Sequence, residues 1–495
     1  MRENDWNELE ELLADGLPDL PPEEIVRSVT PWRRAMDRVI IGSALRAVTL
    51  SLFGLQYLLP ALGTLLLLLG YRALRRENRW FRVCFVLAAA ETAYSIPLLA
   101  LNTSSVYAPQ VLTPGVSQAL TVLEAGLLLT QFLCLWRGLL AVQGRAGLPP
   151  KANAALGIAA WYAALCLSAR LGWQGWLWGI PMLAGYVLLL RSLFRLSRTL
   201  EEAGYVLRPA PVRLPDRWLA LGLAAVLALG CFCGYRFGSR YPMDWQVRSA
   251  AETQETEAIR DHLRSLGFPE DVLDDLSAED LAACDGAIRV IVDTTDLPMN
   301  KGRRVATRTN RGDDVYIDTV YDVRELRVTG VGVEVPGEHS TWVLFHHFRW
   351  RADPACRGTE ALQLRPEGYG DQRYWSMTGF VTGRLLYDWD GETFTAPYAY
   401  LESPGGEESY VVYAAYSLPR KGEDCRGYLR YAIEATREGA IVADYLSFTH
   451  QLSWRQYPAK TALEEQMRRS WLEPAAFRTN FDSLQFYPTP EGVRL

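Results

Sequence analysis

Between Val39 and Tyr235 the chain is a nearly unbroken series of apolar stretches, each close to the length of a bilayer crossing and separated by arginine-rich connectors. Such a block predicts an integral membrane protein, and the polar sequence after it predicts a second, water-compatible half. The formal charge of -6 over 495 residues is an average of these two unlike regions. A chain this long is enough for more than one folding unit, and its mild acidity gives no reason to expect nucleic acid as a partner.

Apolar segments run at about 38–53, 56–74, 82–101, 117–142, 152–171, 176–194 and 218–235, which predicts about seven spans. The first is the shortest; at about 16 residues it would rise only about 24 Å. The chain opens acidic, without the basic start and apolar core of a secretory signal, so its N-terminus is expected in the cytosol. Trp32-Arg33-Arg34 has the cationic and aromatic character of an interfacial anchor. Arg72, Arg75, Arg76, Arg79 and Arg82 fall in one connector, Arg137, Arg145 and Lys151 in the next alternate one, and Arg191 to Arg217 in the third. The intervening connectors hold a single arginine between them, Arg170, so the positive-inside rule places the basic three in the cytosol. The last span then exports everything beyond Tyr235. The expected organisation is a cytosolic helical arm (1–37), a transmembrane helical bundle (38–235), a helical linker region (236–287) and an extracytoplasmic β-rich domain with C-terminal helices (288–495). The localisation is plasma membrane, multi-pass, with the lipid bilayer as the obligatory partner.

Arg46, Glu91 and Glu124 lie well inside these spans, where an ionised group costs a few kcal/mol unless paired or hydrated. Counted from the cytosolic ends, Arg46 and Glu91 reach the same depth, roughly 12 to 14 Å, and can meet. A salt bridge fixing helix order is the ordinary reading; an ion or proton pathway is the functional one. Pro60, Pro97 and Pro181 interrupt spans without a pattern repeated between two halves.

In the exported half, Ser277-Ala-Glu-Asp280 reads as a helix start. Alternating β-branched and aromatic runs follow at about 323–335, 341–351, 374–387, 393–400, 410–418, 428–435 and 440–454. Pro336-Gly337, Asp390-Gly391 and Glu438-Gly439 supply reversals, and helices are expected near 460–471 and 475–484. The whole predicts an α+β domain, mainly an antiparallel β-sandwich.

Site chemistry is sparse. His346 and His347 are adjacent on a strand and point to opposite faces, so they cannot chelate one ion; His346 with His450 is the remaining pairing across the sheet. Asp388-Trp389-Asp390-Gly391 reads as a hairpin turn, since the downstream glutamate of a calcium loop is missing, and Arg311-Gly312-Asp313 reads as a polar turn. The many tyrosines and tryptophans suit a β-sandwich core better than a carbohydrate-stacking platform. Five of the eight cysteines lie in the apolar block; outside it are Cys284, Cys356 and Cys425, among which an oxidising compartment would permit one bridge, with Cys356 to Cys425 the favoured pairing. No zinc-hydrolase, nucleophile-elbow, Walker A or paired C-x-x-C motif occurs, so no cofactor, metal or catalytic residue is assigned.

The stretch Asp19-Leu-Pro-Pro-Glu-Glu-Ile-Val-Arg-Ser-Val-Thr-Pro-Trp-Arg-Arg-Ala-Met-Asp-Arg38, with Phe345-His-His-Phe-Arg-Trp350, resembles uncharacterised multi-pass membrane proteins of Gram-positive gut bacteria. The resemblance implies a bacterial protein whose exported domain faces the cell wall, with a wall component or a protein as partner; it implies no activity. Three classes stay open. The first is a non-enzymatic, possible sensory protein displaying a ligand- or partner-binding domain. The others are a transporter or transport accessory using Arg46, Glu91 and Glu124, and an exported hydrolase.

Overall fold

The computed structural model describes residues 31–47, 55–172, 176–208, 214–249, 257–308, 315–366, 375–402, 411–436, 441–468, 476–489 and 492–494. The two helices expected before Pro31, the Arg311-Gly312-Asp313 tripeptide and the Glu438-Gly439 reversal lie outside these residues. Chain contacts divide the molecule into two compact units, one ending at Leu101 and resuming from Gln110 to Cys231, the other comprising Asn102–Pro109 and Phe232–Leu495.

The first unit is helical: α1 (Pro31–Ala47), α2 (Leu55–Leu74), α3 (Arg79–Leu101), α5 (Pro114–Arg145), α6 (Asn153–Arg170), α7 (Trp176–Glu202) and α8 (Asp216–Phe237), with the short α4 (Tyr107–Val111) between α3 and α5. Among the described residues, five helices are long and apolar enough to cross a membrane: α2, α3, α5, α7 and α8. The two others expected as spans fall outside that set. α1 has 17 residues and carries Arg33, Arg34, Asp37, Arg38 and Arg46; α6 has 18 and includes Asn153, Ser168 and Arg170.

The surface of this unit is apolar. Leu221, Val226 and Leu229 of α8, Ile180, Leu183 and Leu188 of α7, and Val122 of α5 are all exposed. Contiguous apolar exposure on this scale is the surface a lipid solvent selects. Polar character gathers inward and at one end. There α1 lies against α2 with backbones in near contact, because a Cβ on Gly63 would stand 2.6 Å from the Gly42 carbonyl oxygen. Small residues at a helix crossing permit this approach. At that same end of the bundle the three basic connectors converge. Glu77 takes Arg145 at 3.2 Å, the Tyr205 hydroxyl at 2.5 Å and the Arg208 main-chain N–H. Asp216 accepts from Arg38 at 2.6 Å and from Arg72 at 3.2 Å.

The second unit is mostly antiparallel sheet. The strands are β1 (Gln246–Val247), β2 (Arg289–Leu297), β3 (Arg303–Arg308), β4 (Val315–Val320), β5 (Leu326–Val335), β6 (Thr341–Trp350), β7 (Thr359–Pro366), β8 (Trp375–Trp389), β9 (Glu392–Ala396), β10 (Tyr400–Glu402), β11 (Val412–Ser417), β12 (Glu423–Ala435), β13 (Val442–Gln451), β14 (Phe477–Thr489) and β15 (Gly492–Arg494). A seven-stranded sheet has the order β1-β9-β8-β12-β6-β5-β2, a six-stranded sheet β10-β11-β7-β13-β14-β15, and β3 pairs with β4. One apolar cluster draws on both large sheets, with Trp342, Phe348 and Leu429 from the first and Leu362, Phe448 and Phe486 from the second. The other face of the seven-stranded sheet is covered by α9 (Glu257–Ser265), α10 (Glu270–Leu273) and α11 (Ala278–Ala282), through Leu263, Leu273 and Leu281 on Val331, Phe345 and Tyr428. β6 is therefore buried on both faces, which accounts for its continuous apolar run Trp-Val-Leu-Phe around two histidines.

All seven strands read from the sequence are present within a few residues, and Asp390 (φ 55°) with Gly391 (φ 78°) forms the tight β8–β9 reversal. Two expectations are corrected. The helix expected at 475–484 is β14, paired along its length with β13. Phe477, Phe481 and Leu484 imitate a helical i, i+4, i+7 face, but Phe481 is exposed while Leu484 and Phe486 are buried, the period of a strand. The 236–287 region is not purely helical, since β1 adds to β9. A helix does occur at α12 (Ala462–Arg468), where Ala462 and Leu463 pack on Ala361 and Ala415.

Candidate functional site

In the helical unit, α1, α3 and α5 bring together Arg46, Glu91 and Glu124. The Arg46 guanidinium lies 2.5 Å from Glu91 and 3.4 Å from Glu124, and the Thr64 hydroxyl of α2 stands 3.5 Å from the same Glu91 oxygen. Arg46 and Glu91 are 7% and 5% exposed, whereas Glu124 is 55% exposed, so the first two form a closed pair and the third caps it from outside. The Tyr186 hydroxyl donates to the Ser43 carbonyl one turn away at 2.8 Å, and Trp161 stacks on Tyr186 with ring centres 4.5 Å apart. This is an arrangement for joining helices: the charge is compensated in place.

In the β-rich unit, three of the five histidines are buried against carboxylates. His346 reaches Asp444 on the other sheet at 2.5 Å, and the Tyr431 hydroxyl donates to the same oxygen. His347, on the opposite face of β6, reaches Asp275 at 2.9 Å; Asp275 also takes Arg426 at 2.9 Å, and Arg384 donates to its main-chain carbonyl. His450 meets Glu360 at 2.7 Å. Burial pushes the Asp275 carboxyl up, but His347 and Arg426 together hold it below the ordinary value. For Glu360 burial prevails over His450 and the carboxyl is raised. His346 and His450 thus serve separate carboxylates, and no cluster of three or more metal-binding side chains occurs among the described residues. Cys356 and Cys425 are both free; burial, the largest influence on each, raises the Cys356 thiol and pushes that of Cys425 up to about 12.

Two concave surfaces of this unit lie elsewhere. A cavity of about 550 Å³ is lined by Arg236, Arg240, Arg357 and Arg420 with Tyr235 and Trp454. A neighbouring one of about 450 Å³ shares Arg240 and Arg420 and adds Lys421, Trp245, Tyr387 and Trp389. Arg240 is held by main-chain oxygens, donating to the Arg357 carbonyl at 2.6 Å and to that of Leu418. Arg357 donates to the Gly422 carbonyl at 2.7 Å and pairs with Asp353 at 2.9 Å. Burial, with Arg420, Arg357 and Arg236 nearby, pushes the Arg240 guanidinium down to about 10, so it stays charged at neutral pH. Neither wall contains a carboxylate or a histidine.

Sequence reasoning found Arg46, Glu91 and Glu124 but missed this cationic cleft. One local signal was available: Arg236 and Arg240, four residues apart, close the last apolar segment. Arg357, Arg420 and Trp454 join them only through the fold. No protein-family model matches this sequence, and no curated protein matches it.

Proposed function

We propose that the chain is a multi-pass plasma-membrane protein that displays its β-rich unit, a two-sheet sandwich, outside the cell as a non-enzymatic ligand- or partner-binding domain. The observation that carries this reading is the composition of the two clefts. Their walls offer guanidinium, ammonium and aromatic groups but no acid–base pair, and the thiol of Cys356 is held protonated by burial. Such walls suit binding; hydrolysis needs a positioned base or an activated nucleophile.

The topology we propose has seven crossings, counting α1 and α6. With seven and the N-terminus inside, the connectors 75–78, 146–152 and 203–215 all face the cytosol, in keeping with their meeting at Glu77 and Asp216. With five crossings the basic connectors would be split between the two sides of the bilayer. α1 tolerates its charges because Trp32, Met36, Val39 and Ile40 face protein rather than lipid. The closed Arg46–Glu91 pair favours a fastening role over transport.

The test is a reporter active only outside the cell, fused after Leu495, together with titration of the full chain against wall glycans, peptides and lipid headgroups. External reporter activity with saturable binding and no turnover is the expected result. A reporter active only in the cytoplasm defeats the orientation, and turnover of any bound compound defeats the non-enzymatic reading.

A further inference from the structure

We propose that the arginine cleft binds a phosphate mono- or diester carrying a polyol or lipid substituent, held at the level of the lipid headgroups. The proposal deepens the reading above, on which it rests for α8 crossing the bilayer.

Position comes first. α8 is a membrane-length apolar helix that ends at Phe237, with Arg236 in its last turn and Arg240 three residues beyond. Tyr235 and Trp454 meet edge to face with ring centres 5.6 Å apart beside these arginines. Tyrosine, tryptophan and arginine at the end of an apolar helix are the signature of the interfacial layer, where phosphate headgroups lie.

Charge follows. Four guanidiniums line one cavity, and only Arg357 has a carboxylate partner among the described residues, Asp353. Arg240 spends its donors on carbonyl oxygens, which fix its orientation without cancelling its charge. Arg236 and Arg420 are exposed and make no hydrogen bond or ion pair among the described residues, Arg236 lying only over the Phe237 ring. Three uncompensated cations around one space repel one another, and a polyoxyanion is the ligand that relieves the repulsion. Guanidinium forks match phosphate geometry by donating two parallel N–H bonds. A volume of about 550 Å³ holds a phosphate with a short polyol. The adjoining cleft, with Trp245, Tyr387 and Trp389, gives the organic substituent aromatic faces to lie on. A nucleic acid is not indicated, because the cations surround one cavity rather than form a stripe and the chain carries a net charge of -6.

The experiment uses the full chain in nanodiscs. In one arm, discs of phosphatidylcholine are titrated calorimetrically with soluble glycerol 1-phosphate. In the other, discs containing phosphatidylglycerol are compared with phosphatidylcholine alone, reading hydrogen-exchange protection of the amides at 355–358 and 451–454. Arg236→Ala/Arg420→Ala should weaken the response at least about tenfold, a loss typical of charged hydrogen bonds, with Arg236→Lys/Arg420→Lys falling between and Lys301→Ala unchanged. Equal melting curves establish that the double variant is folded. Response to glycerol 1-phosphate assigns a soluble phosphate; response only to phosphatidylglycerol assigns a headgroup; both support the proposal. Silence in both arms, or a response that survives the double alanine variant, overturns it. A β-rich unit that faces the cytosol yet binds would refute the proposed orientation and uphold the cleft; one that faces outward and binds neither probe would do the reverse.

Discussion

The two units bury charge with different chemistry. In the helical unit Arg46 is closed against Glu91, a guanidinium on a carboxylate at 2.5 Å. In the β-rich unit three buried carboxylates, Asp444, Asp275 and Glu360, are each paired with a histidine. Their outer surfaces differ in the same sense. The helical unit exposes leucine, valine and isoleucine along α7 and α8, while the β-rich unit encloses such residues between and around its sheets. The comparison teaches that the first unit closes a guanidinium on a carboxylate among apolar helices, whereas the second sets histidines against carboxylates between and beneath its sheets.

The largest effect expected comes from opening the Arg46–Glu91 pair. Arg46→Met leaves Glu91 buried without its cation and should cost about 3 to 5 kcal/mol, measured as thermal stability of the full chain in detergent. Arg46→Met/Glu91→Leu, which removes both charges, should recover most of that loss. Glu124→Gln should cost under about 1 kcal/mol, because its partner stands at 3.4 Å and the carboxylate is largely exposed. Equal losses for Glu124→Gln and Arg46→Met would erase the distinction between the closed pair and its outer cap.

The second test separates two carboxylates of the β-rich unit by sign. Asp275 is lowered in the fold, so its contribution is complete above the unfolded value near 3.8 and drains away as pH falls through the folded value. Glu360 is raised above 4.5, so the folded state keeps a proton the unfolded chain has released, and stability declines as pH rises through that window. Asp275→Asn should therefore lower stability at pH 7 by about 3 kcal/mol and remove part of the acid-side loss. Glu360→Gln should flatten the decline above pH 4.5 and leave neutral stability equal or higher, since the amide oxygen can still accept from His450. Melting curves from pH 3 to 8 decide it; shifts of the same sign in both variants would contradict the opposed directions.

Legibility in the sequence also divides between the units. Helices of the apolar block were readable because lipid imposes one rule along their whole length, and the depth count brought Arg46 to Glu91 correctly. Strands with alternating aromatic and β-branched residues were equally plain. β7 was not: Thr-Glu-Ala-Leu-Gln-Leu contains good helix formers, and only its place between β11 and β13 makes it a strand. β14 hid behind a helical spacing for the same reason, that pairing overrides local preference. The arginine cleft was illegible because its four cations come from 236, 240, 357 and 420, and no window contains them all.

A third test concerns closeness of packing. Gly63→Ala would place a methyl 2.6 Å from the Gly42 carbonyl oxygen and 2.9 Å from the Arg46 nitrogen, both backbone atoms that cannot swing aside. α1 and α2 must then separate, at a cost of about 1 to 3 kcal/mol by thermal melting in detergent. Gly126→Ala, with nothing within 4 Å of the added methyl, is the matched control in the same unit and should be neutral or slightly stabilising. Similar losses at both positions would mean that helix flexibility, rather than the α1–α2 contact, sets the effect.

The smallest effect compares one device, the helix N-cap, across the two units. Ser277 opens α11 with its hydroxyl oxygen accepting from the Asp280 main-chain N–H at 3.1 Å, while its own O–H donates to the Asp280 carboxylate at 2.8 Å. That carboxylate also receives the Tyr428 hydroxyl at 2.5 Å and the Thr382 hydroxyl at 2.6 Å, so the cap ties the helix to the sheet beneath it. Thr113 opens the much longer α5 without any side-chain cap, and Pro114 behind it has no N–H to satisfy. Ser277→Ala should therefore cost about 1 kcal/mol, whereas Thr113→Ala should stay within about 0.5 kcal/mol. The contrast follows from solvent: α11 is too short to stand without its cap, while α5 is held over 32 residues by an environment in which its backbone has no alternative to helical hydrogen bonds. Comparable losses from the two substitutions would show that end capping matters as much to the lipid-facing helices as to the short ones on the sheet.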